Sequence, residues 1–143
     1  MSETDPLPFV DEHAVRIDAS ADVFWAALLR VLRPGVIGGS SLVARILRCD
    51  PLRGTAEFLG RPGDAVPGFR VADAEPGRRL VLRGRHRFSD YALTFLIDGE
   101  RLRARTHAAF PGLSGRLYRV AVIGTGAHAR VVRRMLARVA RAR

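Results

Sequence analysis

A run of short strand patterns joined by tight turns constrains this fold more than any other feature of the sequence. Six segments carry apolar and polar residues in strand-like patterns, and we predict strands over Leu42–Leu47, Gly54–Leu59, Phe69–Ala74, Arg79–His86, Tyr91–Ile97 and Arg101–Phe110. Pro76-Gly77 and Asp98-Gly99 are turn sequences between neighbouring strands. A parallel crossover needs a dozen or more residues, so these short connections predict an antiparallel sheet.

Helical patterns lie on both sides of the strands. A strand over His13–Ile17 leads into a helix over about Ala21–Leu32, and the Asp18-Ala19-Ser20 sequence supplies its N-terminal cap. Residues Leu113–Arg143 continue one long amphipathic helical pattern. The sequence therefore predicts a single α+β domain over residues 13–143, preceded by a flexible tail over residues 1–12.

The apolar stripe of the C-terminal helix contains two residues that a helix made only for packing would avoid. The stripe is formed by Leu117, Val120, Ala121, Gly124, His128, Val131, Met135 and Val139. Gly124 costs about 1 kcal/mol relative to alanine inside a helix, and His128 follows it by one turn. Small residues also lie on the facing side of the strands, so we predict an unfilled cavity between the sheet and this helix.

The cavity prediction defines the candidate site. Seven residues are predicted to bind a ligand: Gly84, His86, Ala104, Thr106, Tyr118, Gly124 and His128. His128 and His86 are the candidate catalytic residues, because an imidazole exchanges a proton near neutral pH. A structural alternative stays open, in which Gly124 lets the helix bend and His128 is a hydrogen-bonded core residue.

The charge of the chain at first suggests a nucleic-acid partner. The formal net charge is +10, but the 24 basic residues are all arginine and the chain has no lysine. The arginines are spread over strands and helix without the aromatic residues that stack on single-stranded bases. We therefore expect no specific nucleic-acid binding, and we retain an arginine surface for an acidic partner as a third interpretation.

The remaining composition points to a cytoplasmic protein without a metal or other cofactor. Cys49 is the only cysteine, the first residues do not resemble a signal peptide, and no apolar run reaches the ~18 residues of a membrane span. His86, His107 and His128 are dispersed, and the strand pattern directs His107 outward. The sequence leaves monomer and homodimer equally open.

Two stretches carry a family resemblance. Residues 15–28, VRIDASADVFWAAL, and residues 75–82, EPGRRLVL, resemble the opening strand and helix and a later hairpin of the START-like (SRPBCC) superfamily. The match extends over nearly the whole chain from His13 onward. This resemblance implies the helix-grip fold, in which a curved antiparallel sheet wraps around a long C-terminal helix and encloses an apolar cavity.

Members of that superfamily include polyketide cyclases and dehydratases, lipid and hormone carriers, and iron-dependent oxygenase domains, so the fold does not select a function. The sequence favours binding or carriage of an apolar small molecule. A metal-free cyclase or dehydratase acting on a polyketide-like or aromatic substrate in the same cavity is the alternative. A cyclase needs little more than a shaped apolar chamber, a general acid or base to move an enol proton, and a donor for the developing oxyanion, which His128 with His86 or a tyrosine could supply.

Overall fold

An antiparallel sheet forms the centre of the computed structural model, which describes residues 7–34, 45–46, 48–51, 54–124 and 126–141. Its strands are β1 Phe9–Arg16, β2 Ala65–Val66, β3 Phe69–Glu75, β4 Arg79–His86, β5 Ser89–Asp98 and β6 Arg101–Ala109. Their order in the curved sheet is β1-β6-β5-β4-β3-β2, and every neighbouring pair is antiparallel. The predicted antiparallel sheet is confirmed.

Helices cover the inner face of this sheet. Helix α1 spans Ala21–Leu32, and the hydroxyl of Ser20 caps it by accepting the N–H of Val23 at 3.4 Å. After β6 come helix α2, Gly112–Arg119, a π-helical segment, Val120–Gly124, and helix α3, Ala127–Arg141. The α+β helix-grip fold is thus confirmed. None of the described helices is long and apolar enough to cross a membrane.

One hydrophobic core joins the sheet to α1 and α3. Leu80, Leu82, Phe95 and Leu102 from the strands pack with residues of both helices. The helix residues in this core include Phe24, Leu28, Leu32, Val132, Met135, Leu136 and Val139. The alternation predicted for the strands is confirmed on β4 and β6, because Leu80, Leu82, Leu102, Ala104, Thr106 and Ala108 are buried while Arg83 and Arg101 are exposed.

The prediction of one continuous C-terminal helix is wrong. Gly126 has a φ of 79°, a left-handed conformation that ends a helix, and its N–H bonds to the carbonyl of Ile123 at 3.1 Å. The break changes which face of the helix points inward. Leu113, Leu117 and Val120 are therefore exposed by 74%, 65% and 67%, whereas Val132, Met135, Leu136 and Val139 of α3 are buried.

Two other boundaries differ from the prediction. Strand β1 begins at Phe9, inside the stretch predicted as a flexible tail, because its pairing with β6 extends to His107. Residues 54–59 form no strand; Phe58 packs into the core there instead. The predicted strand Leu42–Leu47 lies outside the described residues except for 45–46, which are helical.

Candidate functional site

The inner face of the sheet divides into a packed half and a polar half. Near the start of β6, Leu102 and Ala104 are fully buried in the core. Toward the end of the same strand, Thr106 and Ala108 are small inward residues next to histidine and tyrosine side chains of adjoining elements. This polar half lies beside α2 and the first turn of α3, and it forms the candidate site.

Four residues form a polar cluster in that half, defined as Asp11, His13, Thr106 and His128. Nε2 of His128 lies 3.0 Å from Oγ1 of Thr106 and 3.4 Å from Oδ1 of Asp11. Nε2 of His13 lies 3.2 Å from Oδ2 of the same carboxylate. The side chains of His13, Asp11 and His128 are only 15%, 25% and 21% exposed, so the cluster is largely shielded from water.

A β-bulge places Asp11 in this cluster. Phe9 pairs with His107 on the outer face, and a regular ladder would keep Asp11 on that same side. The register shifts between the two residues, so Asp11 pairs with Thr106 on the inner face instead. Sequence reasoning missed Asp11 because residues 1–12 are predicted to be a tail, and it did not single out His13, the first residue of the predicted strand His13–Ile17, as a site residue.

An aromatic cluster forms the second part of the site, defined as His86, Phe88, Tyr91 and Tyr118. The His86 ring meets Tyr118 of α2 edge to face at 4.8 Å and lies 5.4 Å from Tyr91, while Phe88 stacks on Tyr118 at 5.1 Å. The N–H of Phe88 donates to Nδ1 of His86 at 3.1 Å, so a neutral ring carries its proton on Nε2. Burial lowers the pKa of His86 and favours that neutral form.

The two tyrosines of this cluster are also kept neutral. Burial raises the pKa of Tyr91, and the neighbouring Cys49 raises it further. Its hydroxyl donates to the carbonyl of Gly68 at 2.7 Å. Burial likewise raises the pKa of Tyr118. Both phenols are therefore hydrogen-bond donors at neutral pH and not bases.

The small size of Gly84 has a different cause from the one the sequence suggested. A Cβ at this position would lie 2.0 Å from the carbonyl oxygen of Gly68 and 2.8 Å from Cε1 of Tyr91. Gly84 therefore lets the loop before β3 approach β4, and the loop backbone occupies the space that was predicted to be empty. Gly115 has a similar role in α2, because its Cβ would meet the backbone of Phe110 at 2.7 Å.

Four of the other predicted site residues meet in the two clusters, and Gly124 does not. Thr106 and His128 meet in the polar cluster, and His86 and Tyr118 meet in the aromatic cluster. Gly124 is exposed, and a methyl group added there would have Cγ1 of Val120, at 3.8 Å, as its nearest neighbour, so it does not face the sheet. That placement follows from the break at Gly126, which also ends the apolar stripe on which the Gly124 prediction depended.

Ion pairs neutralise much of the arginine surface on the outer face. Glu12 accepts from both Arg103 and Arg105, and the bond to Arg105 is the main reason that the pKa of Glu12 is lowered. Further pairs on the surface join Arg16 to Glu100, Arg79 to Asp73, and Arg85 to Asp50. Such exposed pairs contribute little stability each, about 0–1 kcal/mol.

In the polar cluster, the carboxylate of Asp11 lies between two imidazoles. Nε2 atoms of His13 and His128 face different oxygens of Asp11. Within the described ranges, no group of three or more His, Cys, Asp or Glu residues is arranged to hold a metal ion.

Comparison with known proteins identifies the fold only. No protein-family model and no curated protein matches the chain. Among solved structures, the chain is similar to protein CV1439 from Chromobacterium violaceum, with 14% sequence identity, a TM-score of 0.54, and coverage of 93% of this chain and 96% of that one. This likeness agrees with the helix-grip architecture.

Two further structural likenesses are weaker. CalU16 from Micromonospora echinospora is 16% identical with a TM-score of 0.45, covering 91% of this chain and 80% of that one. DynU16, described as a protein of the dynemicin biosynthetic locus, is 19% identical with a TM-score of 0.43, covering 95% of this chain and 47% of that one. At these scores neither likeness identifies a ligand or a reaction.

Proposed function

We propose that this protein is a START-like domain that binds a mainly apolar small molecule carrying a hydroxyl or enol group. The ligand would lie between the sheet and the C-terminal helices, in the polar half of the inner face. The side chains that the sheet presents there, Thr106 and Ala108, are small and fill little space. The aromatic cluster supplies apolar walls.

One atom carries the proposal. Oδ1 of Asp11 is buried, and among the described residues nothing donates a hydrogen bond to it, although Nε2 of His128 lies 3.4 Å away. Buried carboxylate oxygens without a donor are rare because they lose the hydration that a charge requires. A ligand hydroxyl would provide the missing donor, and the adjacent apolar surface would hold the rest of the molecule.

A fluorescence titration with 1-naphthol tests this proposal, because the probe combines an apolar ring system with one hydroxyl donor. Ala108→Phe fills the inner face and should abolish binding. Ala109→Phe adds the same bulk on the opposite face of β6 and should leave binding unchanged. Naphthalene, which lacks the hydroxyl, should bind about tenfold more weakly than 1-naphthol.

These variants also show where the ligand lies. Equal binding by the parent and Ala108→Phe would place it elsewhere on the protein. Two results together would contradict the proposed function. Neither probe would bind the parent, and native mass spectrometry of the purified protein would detect no bound apolar molecule.

Proton transfer of the cyclase or dehydratase type is a second candidate function, and the contact between His128 and Asp11 favours it. An imidazole oriented by a carboxylate is a common arrangement for a general base. The neutral hydroxyl of Tyr118 could donate to an oxyanion that develops in the transition state, whereas the single proton of the Tyr91 hydroxyl is already donated to the carbonyl of Gly68.

Replacement of His128 by phenylalanine separates the two functions. For a carrier, His128→Phe should change the affinity for 1-naphthol little, because the ligand hydroxyl bonds to Oδ1 of Asp11, whereas Asp11→Leu should lower it by the value of one buried hydrogen bond, about 1–3 kcal/mol. For an enzyme, affinity should change little, while turnover of its substrate should fall about a hundredfold or more. Asp11→Asn keeps the size of the side chain and an oxygen acceptor but removes the charge, so a carrier should bind 1-naphthol nearly as before, while an enzyme should lose turnover as with His128→Phe.

A further inference from the structure

Exposed apolar side chains gather at one end of the protein. Leu113, Leu117 and Val120 follow β6, and Phe9 is 60% exposed where β1 pairs with the end of that strand. Ile46 is 58% exposed, and its carbonyl accepts from Arg87 in the β4–β5 hairpin, at the same end of the sheet. The two other large apolar residues exposed among those described, Val23 and Leu59, lie outside these segments.

Helix α2 shows that this exposure is built into the packing. Gly115 is buried against Phe110 and Phe88, and Tyr118 reaches inward to His86. At 100° per residue, these inward positions lie roughly opposite the stripe formed by Leu113, Leu117 and Val120. The helix therefore contacts the rest of the protein through its glycine and tyrosine, and its most apolar face points to solvent.

The charges around this end are mostly positive. Exposed arginines lie next to the apolar residues, at Arg45, Arg87, Arg116 and Arg119. Asp90, at the start of β5, is an exposed carboxylate in the same region. Beyond Glu100 the sequence contains no acidic residue, so α2, the π-helical segment and α3 carry only positive charge.

We infer that this basic apolar end, formed by Phe9, Ile46, Leu113, Leu117, Val120, Arg45, Arg87, Arg116 and Arg119, docks onto an anionic lipid surface. Arginine beside exposed leucine is the composition of helices that lie in the membrane interface, where leucine enters the acyl boundary and arginine contacts lipid headgroups. The surface is separate from the inner-face site, and docking requires no ligand there.

Other occupants fit these residues less well. A second copy would bring two surfaces of the same positive charge together, which opposes association. A nucleic acid would neutralise the arginines but would leave the leucine stripe exposed to water. An anionic bilayer satisfies both features, because it accepts the apolar side chains and carries the opposite charge.

Co-sedimentation with vesicles tests the inference. The intact protein should bind vesicles of mixed phosphatidylcholine and phosphatidylglycerol, bind pure phosphatidylcholine vesicles much more weakly, and dissociate as salt is raised. Leu113→Ser with Leu117→Ser should lower the partition coefficient at least about tenfold. Arg116→Gln with Arg119→Gln should lower it about fivefold for each arginine.

Matched controls separate this surface from the overall charge. Arg16→Gln with Arg101→Gln removes the same charge at the opposite end of β1 and β6, and Val23→Ser removes an exposed apolar side chain from α1. Both should bind vesicles like the parent, and circular dichroism should show that all variants are folded.

Four results would overturn the inference. They are equal binding to the two kinds of vesicle, equal weakening by the control variants, binding to DNA without binding to vesicles, and a dimer in solution that Leu117→Ser dissociates. The last two results would assign the surface to a nucleic acid or to a second copy of the chain.

Discussion

Nε2 of His128 lies 3.4 Å from Oδ1 of Asp11, so the first turn of α3 contacts the beginning of β1. Thr106 of β6 completes this contact, with its hydroxyl 3.0 Å from the same nitrogen. The three residues come from distant parts of the chain, and they fix the start of α3 against the sheet immediately after the helix break. Their geometry supports both proposed functions and predicts a measurable contribution to stability.

We expect Thr106→Val to lower the free energy of unfolding by about 1 kcal/mol, because it removes the hydroxyl that bonds to His128 without changing the shape of a side chain that is only 6% exposed. In a double-mutant cycle with His128→Phe measured by urea unfolding, the losses of unfolding free energy caused by the two substitutions should be less than additive. Thr94→Val, on the outer face of β5, is the control and should be additive with His128→Phe. Additivity for Thr106→Val would show that the contact is absent in solution.

The sheet could be predicted well from sequence because its signals are local. Leu80 and Leu82 alternate with outward residues at a period of two, and Pro76-Gly77 marks a turn with a φ of 81° at Gly77. The N-terminal cap at Ser20 is equally local. Such features depend on neighbouring residues, and the structure confirms them.

The site was predicted less well because it depends on interruptions of those periods. One bulge moves Asp11 to the inner face, and one left-handed glycine, Gly126, resets the phase of the C-terminal helix. The close approach of Gly68 to Gly84 is a tertiary contact that a missing side chain cannot distinguish from an empty space. The sequence shows that positions 84, 115 and 126 are glycines, but it does not show which contact or helix break each glycine permits.

Gly84→Ala should be strongly destabilising, by about 1–3 kcal/mol or more, because its Cβ would lie 2.0 Å from the carbonyl oxygen of Gly68. The loop must move, and the bond from the Tyr91 hydroxyl to that carbonyl should be lost with it. Tyr91→Phe is the comparison, since it removes only the bond and should cost about 1 kcal/mol in urea unfolding. A stability for Gly84→Ala equal to that of the parent would show that the loop does not contact β4.

Two glycines of the C-terminal helical segments, Gly115 and Gly124, should respond in opposite ways to alanine. Gly124→Ala should raise the free energy of unfolding by up to about 1 kcal/mol, because the new methyl group meets nothing closer than 3.8 Å and helix propensity improves. Gly115→Ala gains the same propensity but places its methyl group 2.7 Å from the backbone of Phe110, and should be net destabilising. Thermal unfolding of the two variants measures the difference, and stabilisation of both would mean that α2 is not packed as described.

Neighbouring aromatic residues of α1 should differ in importance. Phe24 is completely buried, whereas Trp25 is only partly buried at the edge of the core. Phe24→Ala should therefore cost about 3–5 kcal/mol, and Trp25→Ala should cost less. Urea unfolding of both variants gives the order, and a larger loss for Trp25→Ala would place the tryptophan in the core.

His86 should make the stability of the protein depend on pH. Burial lowers the pKa of His86 below its ordinary value of about 6.5, with Asp90 acting in the opposite direction. As the pH falls, the unfolded chain therefore binds a proton at this residue before the folded protein does. The stabilisation is complete above the unfolded pKa of about 6.5 and is lost as the pH falls toward the lower pKa of the folded state.

His86→Asn retains an acceptor for the Phe88 N–H but does not titrate, so its melting temperature should fall less than that of the parent between about pH 8 and about pH 5. Identical losses for His86→Asn and the parent would show that the His86 ring is open to water.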